Sequence, residues 1–322
     1  MKRHLNNLQV AFRQVFACSS YIALASVLAL AAFLSAIFVG PAALAHADQA
    51  ALLYEKTSPY NTIIVTEENG FRVLRFERDG PRQSLVKPGD PDYLGLPYAR
   101  AALAGLALSE EPGRILVVGL GGGTLPMFLH KYYPEAAIDA VDIDPDVVRV
   151  AKDFFGFRED PHMRAHVSDG RRFIEDTRRP YDVIFLDAFG ARAVPAHMTT
   201  QEFLRAVRRA VKPGGVVIGN IWGRGSNPLY DSMVRTYREV FDELFVLAAP
   251  GSGNRILLAL PRKQPLTREE FARLARKVSA GKRFRFDLGD VVERGFLHAH
   301  GKDRDGRVLR DRNLEQRKPR SP

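Results

Sequence analysis

Three aspartates stand where chemistry on a nucleoside would need them. Asp142, Asp169 and Asp187 close the apolar runs Ala140-Val141-Asp142, Met163-Arg-Ala-His-Val-Ser-Asp169 and Tyr181-Asp-Val-Ile-Phe-Leu-Asp187. Upstream of the first, Ile115-Leu-Val-Val-Gly-Leu-Gly-Gly-Gly-Thr-Leu125 carries a buried strand straight into a glycine-rich turn, and Asp142 follows Gly119 by 23 residues. An apolar strand, a turn too tight for side chains and a carboxylate at the next strand end form a nucleoside-binding βαβ unit. The glycines let backbone N–H groups approach the ligand. Asp142, with Ile143 beside it, is placed to accept both ribose hydroxyls, and Asp169-Gly170 suits the adenine amino group. Asp187 points into the cleft where the reaction would occur, either shaping it or acting as its base. Any one of these acids could be a helix N-cap; three at three successive strand ends are poorly explained that way.

The glycine spacing selects the nucleoside. A dinucleotide fingerprint places glycine or alanine where this chain has Thr124. Gly119, Gly121 and Gly123 instead give G-x-G-x-G, the form found in S-adenosylmethionine folds, where no pyrophosphate has to be cradled. Four further side chains are candidates with two readings each. His197, in Val194-Pro-Ala-His-Met198, is a general base or a surface loop histidine. Tyr93 and Tyr98 line a substrate pocket or pack in the core, and so does Trp222, which follows Asn220 at a strand end.

These residues need an α/β scaffold to hold them. From 114 to 260 strands and helices alternate at the rhythm of a parallel, doubly wound sheet. Taken with the G-x-G-x-G turn, this is expected to be a Rossmann-like fold of the S-adenosylmethionine-dependent methyltransferase type. Helices are predicted near 93–108, 123–132, 145–155, 170–177, 199–211 and 228–241, with Thr199-x-x-Glu202 a capping box for the fifth of these. Lys212-Pro-Gly-Gly215 breaks that helix before a strand Val216–Ile221, Ile256–Leu260 is the final strand, and a helix over 267–280 closes the ordered part. Residues 50–92 read as a small N-terminal β-domain, in which Asn69-Gly70 joins Thr62–Thr66 to Phe71–Phe76 as a hairpin. The nucleoside-binding domain spans 93–262, and 263–322 is a basic C-terminal helix and tail.

The 322 residues, 46% hydrophobic, suffice for such a core plus an appendage. The net charge of +10 is a property of the ends. Residues 262–322 hold 18 Lys/Arg against 9 Asp/Glu, whereas 48–261 hold 26 against 28. A nearly neutral body does not present a nucleic-acid surface, and the tail reads as solvated, with an anionic membrane or nucleic acid as its other partner. Cys18 is the only cysteine, so disulfides, thiolate catalysis and cysteine-ligated metal are excluded, and no metal site is expected. Residues 1–47 read as a signal peptide or membrane anchor: Lys2, Arg3 and Arg13 precede an apolar run from Val15 to Val39, and Ala45-His-Ala47 suits cleavage. Uncleaved, 15–39 would span a bilayer with the domain outside the cytoplasmic membrane. A start displaced downstream would leave it in the cytoplasm, although the next methionine, Met127, lies inside the nucleoside-binding unit.

The order of motifs resembles the spermidine synthase (polyamine aminopropyltransferase) family over roughly 55–260. Ser58-Pro-Tyr60, Arg82-Gln83-Ser84, the glycine loop, Val141-Asp142-Ile143-Asp144, Val167-Ser-Asp169-Gly170 and Tyr181-Asp-Val-Ile184 with Asp187 carry it. The resemblance implies aminopropyl transfer from decarboxylated S-adenosylmethionine to a polyamine, with Asp142 on ribose, Asp169-Gly170 on adenine and Gln83 near the cosubstrate. Two positions depart from it. The family carries an aspartate inside its glycine loop, where Gly121 and Gly122 stand here. It also carries Asp-Ser-Ser-Asp after the fourth strand, the second Asp being the base; here the run is Asp187-Ala-Phe-Gly190. An S-adenosylmethionine-dependent methyltransferase and a non-catalytic nucleoside- or polyamine-binding protein are the competing readings. Self-association stays open.

Overall fold

The computed structural model describes residues 50–190, 193–297 and 306–315. The segment read as leader or anchor lies outside them. Asn69 and Gly70 both take positive φ (52° and 76°), the geometry that matches the twist of a two-residue hairpin. They join β2 (Thr62–Glu68) to β3 (Phe71–Arg75), and β1 (Ala51–Thr57) and β4 (Arg82–Val86) complete an antiparallel sheet in the order β1-β2-β3-β4.

The helix predicted over 93–108 starts only at Pro97. It runs as α1 (Pro97–Leu103) and tightens into a 3-10 segment, Ala104–Leu108. Proline fits a first helical turn and pushes the preceding residue into extended backbone, as Leu96 shows (φ −85°, ψ 123°). Tyr93 therefore lies in the turn before the helix, its ring 5.1 Å from that of Phe71.

The main sheet contains β5 (Arg114–Val118), β6 (Ala137–Asp142), β7 (Met163–Val167), β8 (Tyr181–Leu186), β9 (Val211–Trp222), β10 (Glu243–Ala248), β11 (Asn254–Leu260) and β12 (Phe296–Leu297). Their order is β12-β10-β11-β9-β8-β5-β6-β7. The run from β9 to β7 is parallel, and the β11, β10, β12 edge is antiparallel. Val117, Phe185 and Ile218 enter one core layer while their neighbours Leu116, Ile184 and Val217 enter the other, so both faces are covered.

Helices α2 (Thr124–Tyr132), α3 (Pro145–Phe154), α4 (Gly170–Glu175), α5 (Gln201–Ala210) and α6 (Tyr230–Val240) follow the strands much as the pattern predicts. The N-terminal sheet sits on α3: Ile63, Val65 and Leu74 pack with Val147, Val150 and Phe155.

Three expectations are corrected. The N-cap of α5 is Thr200, whose hydroxyl accepts from Phe203 N, while Thr199 turns back to the Ala196 carbonyl (2.7 Å). The stretch Lys212–Gly215 is the outer part of β9 rather than a connection before it. The ordered part does not close with the helix near 267–280: α7 (Arg268–Lys282) is followed by α8 (Leu288–Gly295), and residues 306–315 return to the body with Leu309 buried.

Candidate nucleoside site

β5 and β8 are neighbours, and the chain leaves them toward opposite sides of the sheet, β6 and β7 lying beyond one and β9 beyond the other. A crevice opens at such a switch point, outside the carboxyl ends of the strands. The glycine turn and Asp187 both lie there. Gly119 has φ +101°, and a Cβ on it would overlap the Asp187 carbonyl, so nothing larger than glycine lets the two strand ends approach. Gly122 donates its N–H to Ser84 Oγ (2.8 Å), which clamps the turn against the N-terminal sheet.

Asp142 holds the turn from the other side. One carboxylate oxygen accepts from Leu120 N and the other from Asp144 N, each at 3.0 Å. Burial pushes its pKa up to about 6, against the lowering effect of N–H donors from Asp144, Leu120 and Gly121. Asp144 caps α3 by accepting from Asp146 N (2.9 Å) and also accepts from the Ser58 hydroxyl, which gives Ser58 its structural task.

Asp169 caps α4, accepting from Arg172 N (3.0 Å), and its second oxygen faces His197 Nε2 at 3.0 Å. Gly170 packs so closely on β5 that a Cβ there would overlap the Val118 side chain.

Asp187 accepts from Asn220 Nδ2 (2.8 Å), and Asn220 in turn accepts from Asn254 Nδ2 (2.9 Å), while the Tyr98 hydroxyl, which donates to the Gln83 carbonyl (3.5 Å), lies on the same cleft wall. Burial pushes the Asp187 pKa up to about 7, against the lowering effect of the Asn220 hydrogen bond and the nearby Tyr98 hydroxyl. Two half-buried acids without a cationic partner are costly to the fold, which is how reactive sites commonly differ from packing.

These groups surround a cleft of about 410 Å³, a size suited to a nucleoside. Gly119, Gly121, Asp142, Ile143, Asp169 and Gly170 line it along the carboxyl ends of β5, β6 and β7. Gln83, Asp187, Gly190, His197 and Trp222 line it as well, the Trp222 ring edge-on to Phe189 at 5.8 Å. Gly123 stands behind the turn as N-cap of α2, with φ +73°. Tyr93 is not on this wall; Pro97 delays the helix, and Tyr98 is the tyrosine of that stretch on the cleft wall. Ser84, Asn220 and Asn254 were not singled out from sequence. Asn220 carried a signal: a polar amide within the apolar strand Val216–Ile221 must find a buried partner.

Residues 100–238 match the spermine/spermidine synthase domain model. The polyamine aminopropyltransferase of Vibrio vulnificus (strain CMCP6) is 37% identical over 232 residues, 69% of this chain and 77% of that protein. The chain belongs to the spermine/spermidine synthase family. Within reach of that family lies a second chemistry. The Homo sapiens eEF1A lysine and N-terminal methyltransferase is 37% identical over 196 residues, 55% of this chain but only 27% of the methyltransferase. Among solved structures, human methyltransferase-like protein 13 in complex with SAH is 34% identical, has a TM-score of 0.53 and covers 58% of this chain and 92% of its own. The fold is thus the methyltransferase-type α/β fold with an N-terminal antiparallel sheet, and the family's members are transferases.

Proposed function

We propose that the chain transfers an alkyl group from an adenosyl-sulfonium nucleoside to an amine, with aminopropyl transfer from decarboxylated S-adenosylmethionine to a polyamine as the leading reading. The observation that carries it is Asp187, a half-buried acid at the switch point, beside the glycine turn and held by Asn220. Asp142 receives the ribose hydroxyls and Asp169 the adenine, the roles that the family resemblance implies. An alkylamine is an ammonium at neutral pH and must lose a proton before it attacks carbon. Asp187, with a pKa near 7, takes that proton. The N–C bond forms as the C–S bond breaks, and the sulfur leaves as a neutral thioether. His197 bonds to Asp169, at the adenine end, and serves there rather than as the base.

Methyl transfer from S-adenosylmethionine is the second reading, favoured by Arg82 on the cleft wall, one of whose nitrogens, Nη2, donates to Glu68 (2.8 Å). A guanidinium suits the carboxylate that decarboxylation removes.

The test is transfer of label by the full chain from either nucleoside, labelled on the transferred group, to putrescine. Label moving from the decarboxylated form supports the leading reading. Label moving only from S-adenosylmethionine gives the second, and binding without transfer makes the protein a nucleoside binder.

The family's base position is Gly190, where a Cβ would come no nearer than 3.7 Å to its closest neighbour, the Ala193 carbonyl. Gly190→Asp therefore fits, and is expected to raise aminopropyl transfer measurably. No gain in a folded variant would show that Asp187 already suffices.

We further propose that the domain acts outside the cytoplasmic membrane. Alkaline phosphatase fused after residue 60 should be active in a bacterial host. An inactive fusion, with a fluorescent protein bright at the same point, places the domain inside.

A further inference from the structure

The basic C-terminal segment returns to the body by specific contacts. Leu309 N donates to Thr236 Oγ1 (3.0 Å), and its carbonyl accepts from Gln201 N (2.8 Å). Asp311 N donates to Glu202 Oε2 (3.0 Å). The Asp311 carboxylate accepts from Thr200 Oγ1 (2.7 Å) and takes a two-pronged bond from Arg171, at 2.8 Å from Nη1 and 2.7 Å from Nη2. A fork of this kind fixes direction as well as charge.

Arg171 spends the same guanidinium on the cleft. Its Nη1 donates to the His197 carbonyl (3.1 Å), and its Nε donates to Glu175 (2.8 Å). His197 meets Asp169 at 3.0 Å. The connection after β8 carries Phe189, Pro195, His197 and Met198 into the cleft wall, and its regular structure among the described residues is one short 3-10 turn, Ala196–Met198. A wall with so little secondary structure depends on side-chain anchors for its position. Arg171 supplies one from α4, directly behind Asp169-Gly170, and Asp311 decides where Arg171 points.

We propose that Asp311 is a positioning residue for nucleoside binding: through Arg171 it fixes the His197 segment, and through His197 the orientation of the Asp169 carboxylate. The inference rests on the cleft being the nucleoside site proposed above.

The test is a double-mutant cycle on the full chain, read by calorimetry with methylthioadenosine. Asp311→Asn is expected to weaken binding about tenfold, of the order of one hydrogen bond to a charged group, and His197→Ala by a similar factor. Because both act on Asp169, the double variant should bind no worse than the weaker single one. Asp311→Glu should restore part of the loss, and Arg171→Lys, which keeps the charge and loses the fork, should resemble Asp311→Asn. The melting temperature of each ligand-free variant checks folding. Losses that multiply in the double variant, or an Asp311→Asn protein that binds as the parent does, would overturn the proposal and leave the segment a structural strap. A parent chain that binds no thionucleoside fails one step earlier, at the site itself, and takes the proposal with it.

Discussion

Asp187→Asn is expected to lower turnover by about 10²–10⁴-fold, the span a positioned general base contributes, with thionucleoside binding close to that of the parent. The split follows from geometry. Asp187 follows β8 and is bonded to Asn220, which Asn254 holds in turn, whereas the groups assigned to ribose and adenine stand at the ends of β6 and β7. The parent's rate should climb with pH through about 7 and level off above it, because only the ionised form accepts the amine's proton. Stability runs the opposite way. The folded-state pKa is raised from 3.8 to about 7, so between those values the folded chain holds a proton that the unfolded chain releases. Stability contributed by this group falls as pH rises through that window and stays low beyond it. The Asn variant cannot ionise. It should melt higher than the parent at pH 8, with the gap closing toward pH 4. Equal turnover in parent and variant would remove Asp187 from the chemistry.

The parts of the site set by strand ends were legible before the fold was known. Apolar runs show where a strand stops, so Asp142, Asp169 and Asp187 could be aligned at one edge without knowing how the helices pack. Gly119 was legible for a related reason: a strand that turns sharply into a helix needs a residue free of Cβ. What depended on register or on distant partners was not. Asn220 meets Asn254 because β9 and β11 run antiparallel with Asn220 opposite Ile256 and Trp222 opposite Asn254. No local pattern gives that pairing. Tyr93 and Tyr98 share a residue type and a neighbourhood, and Pro97 alone decides which one sits on a helix. The C-terminal segment misled for a third reason. Its basic composition reads as solvated, yet Leu309 and Asp311 are held by α4, α5 and α6, about 70 to 140 residues away in the chain. Composition reports what a segment would do alone, and this one is not alone.

Asp142→Ala is expected to reduce methylthioadenosine affinity by about a hundredfold or more, since two ribose hydroxyls bonded to a charged acceptor are worth about 1.5–3 kcal/mol each. The loss has a second source. The same carboxylate accepts the N–H groups of Leu120 and Asp144 at 3.0 Å, so alanine releases the glycine turn as well as the ribose. Asp142→Asn separates the two. An amide keeps one acceptor oxygen for the turn but brings an NH₂ group against a backbone donor, so it should hold the fold better than alanine and still bind the nucleoside poorly. The acid's raised pKa adds a pH signature: binding that depends on the carboxylate should weaken as pH falls through about 6. Isothermal titration of parent and both variants at pH 8 and pH 5 reads all of this. Should Asp142→Ala bind methylthioadenosine as tightly as the parent at both values, the ribose is held elsewhere and the acids at these strand ends serve only to order the turn.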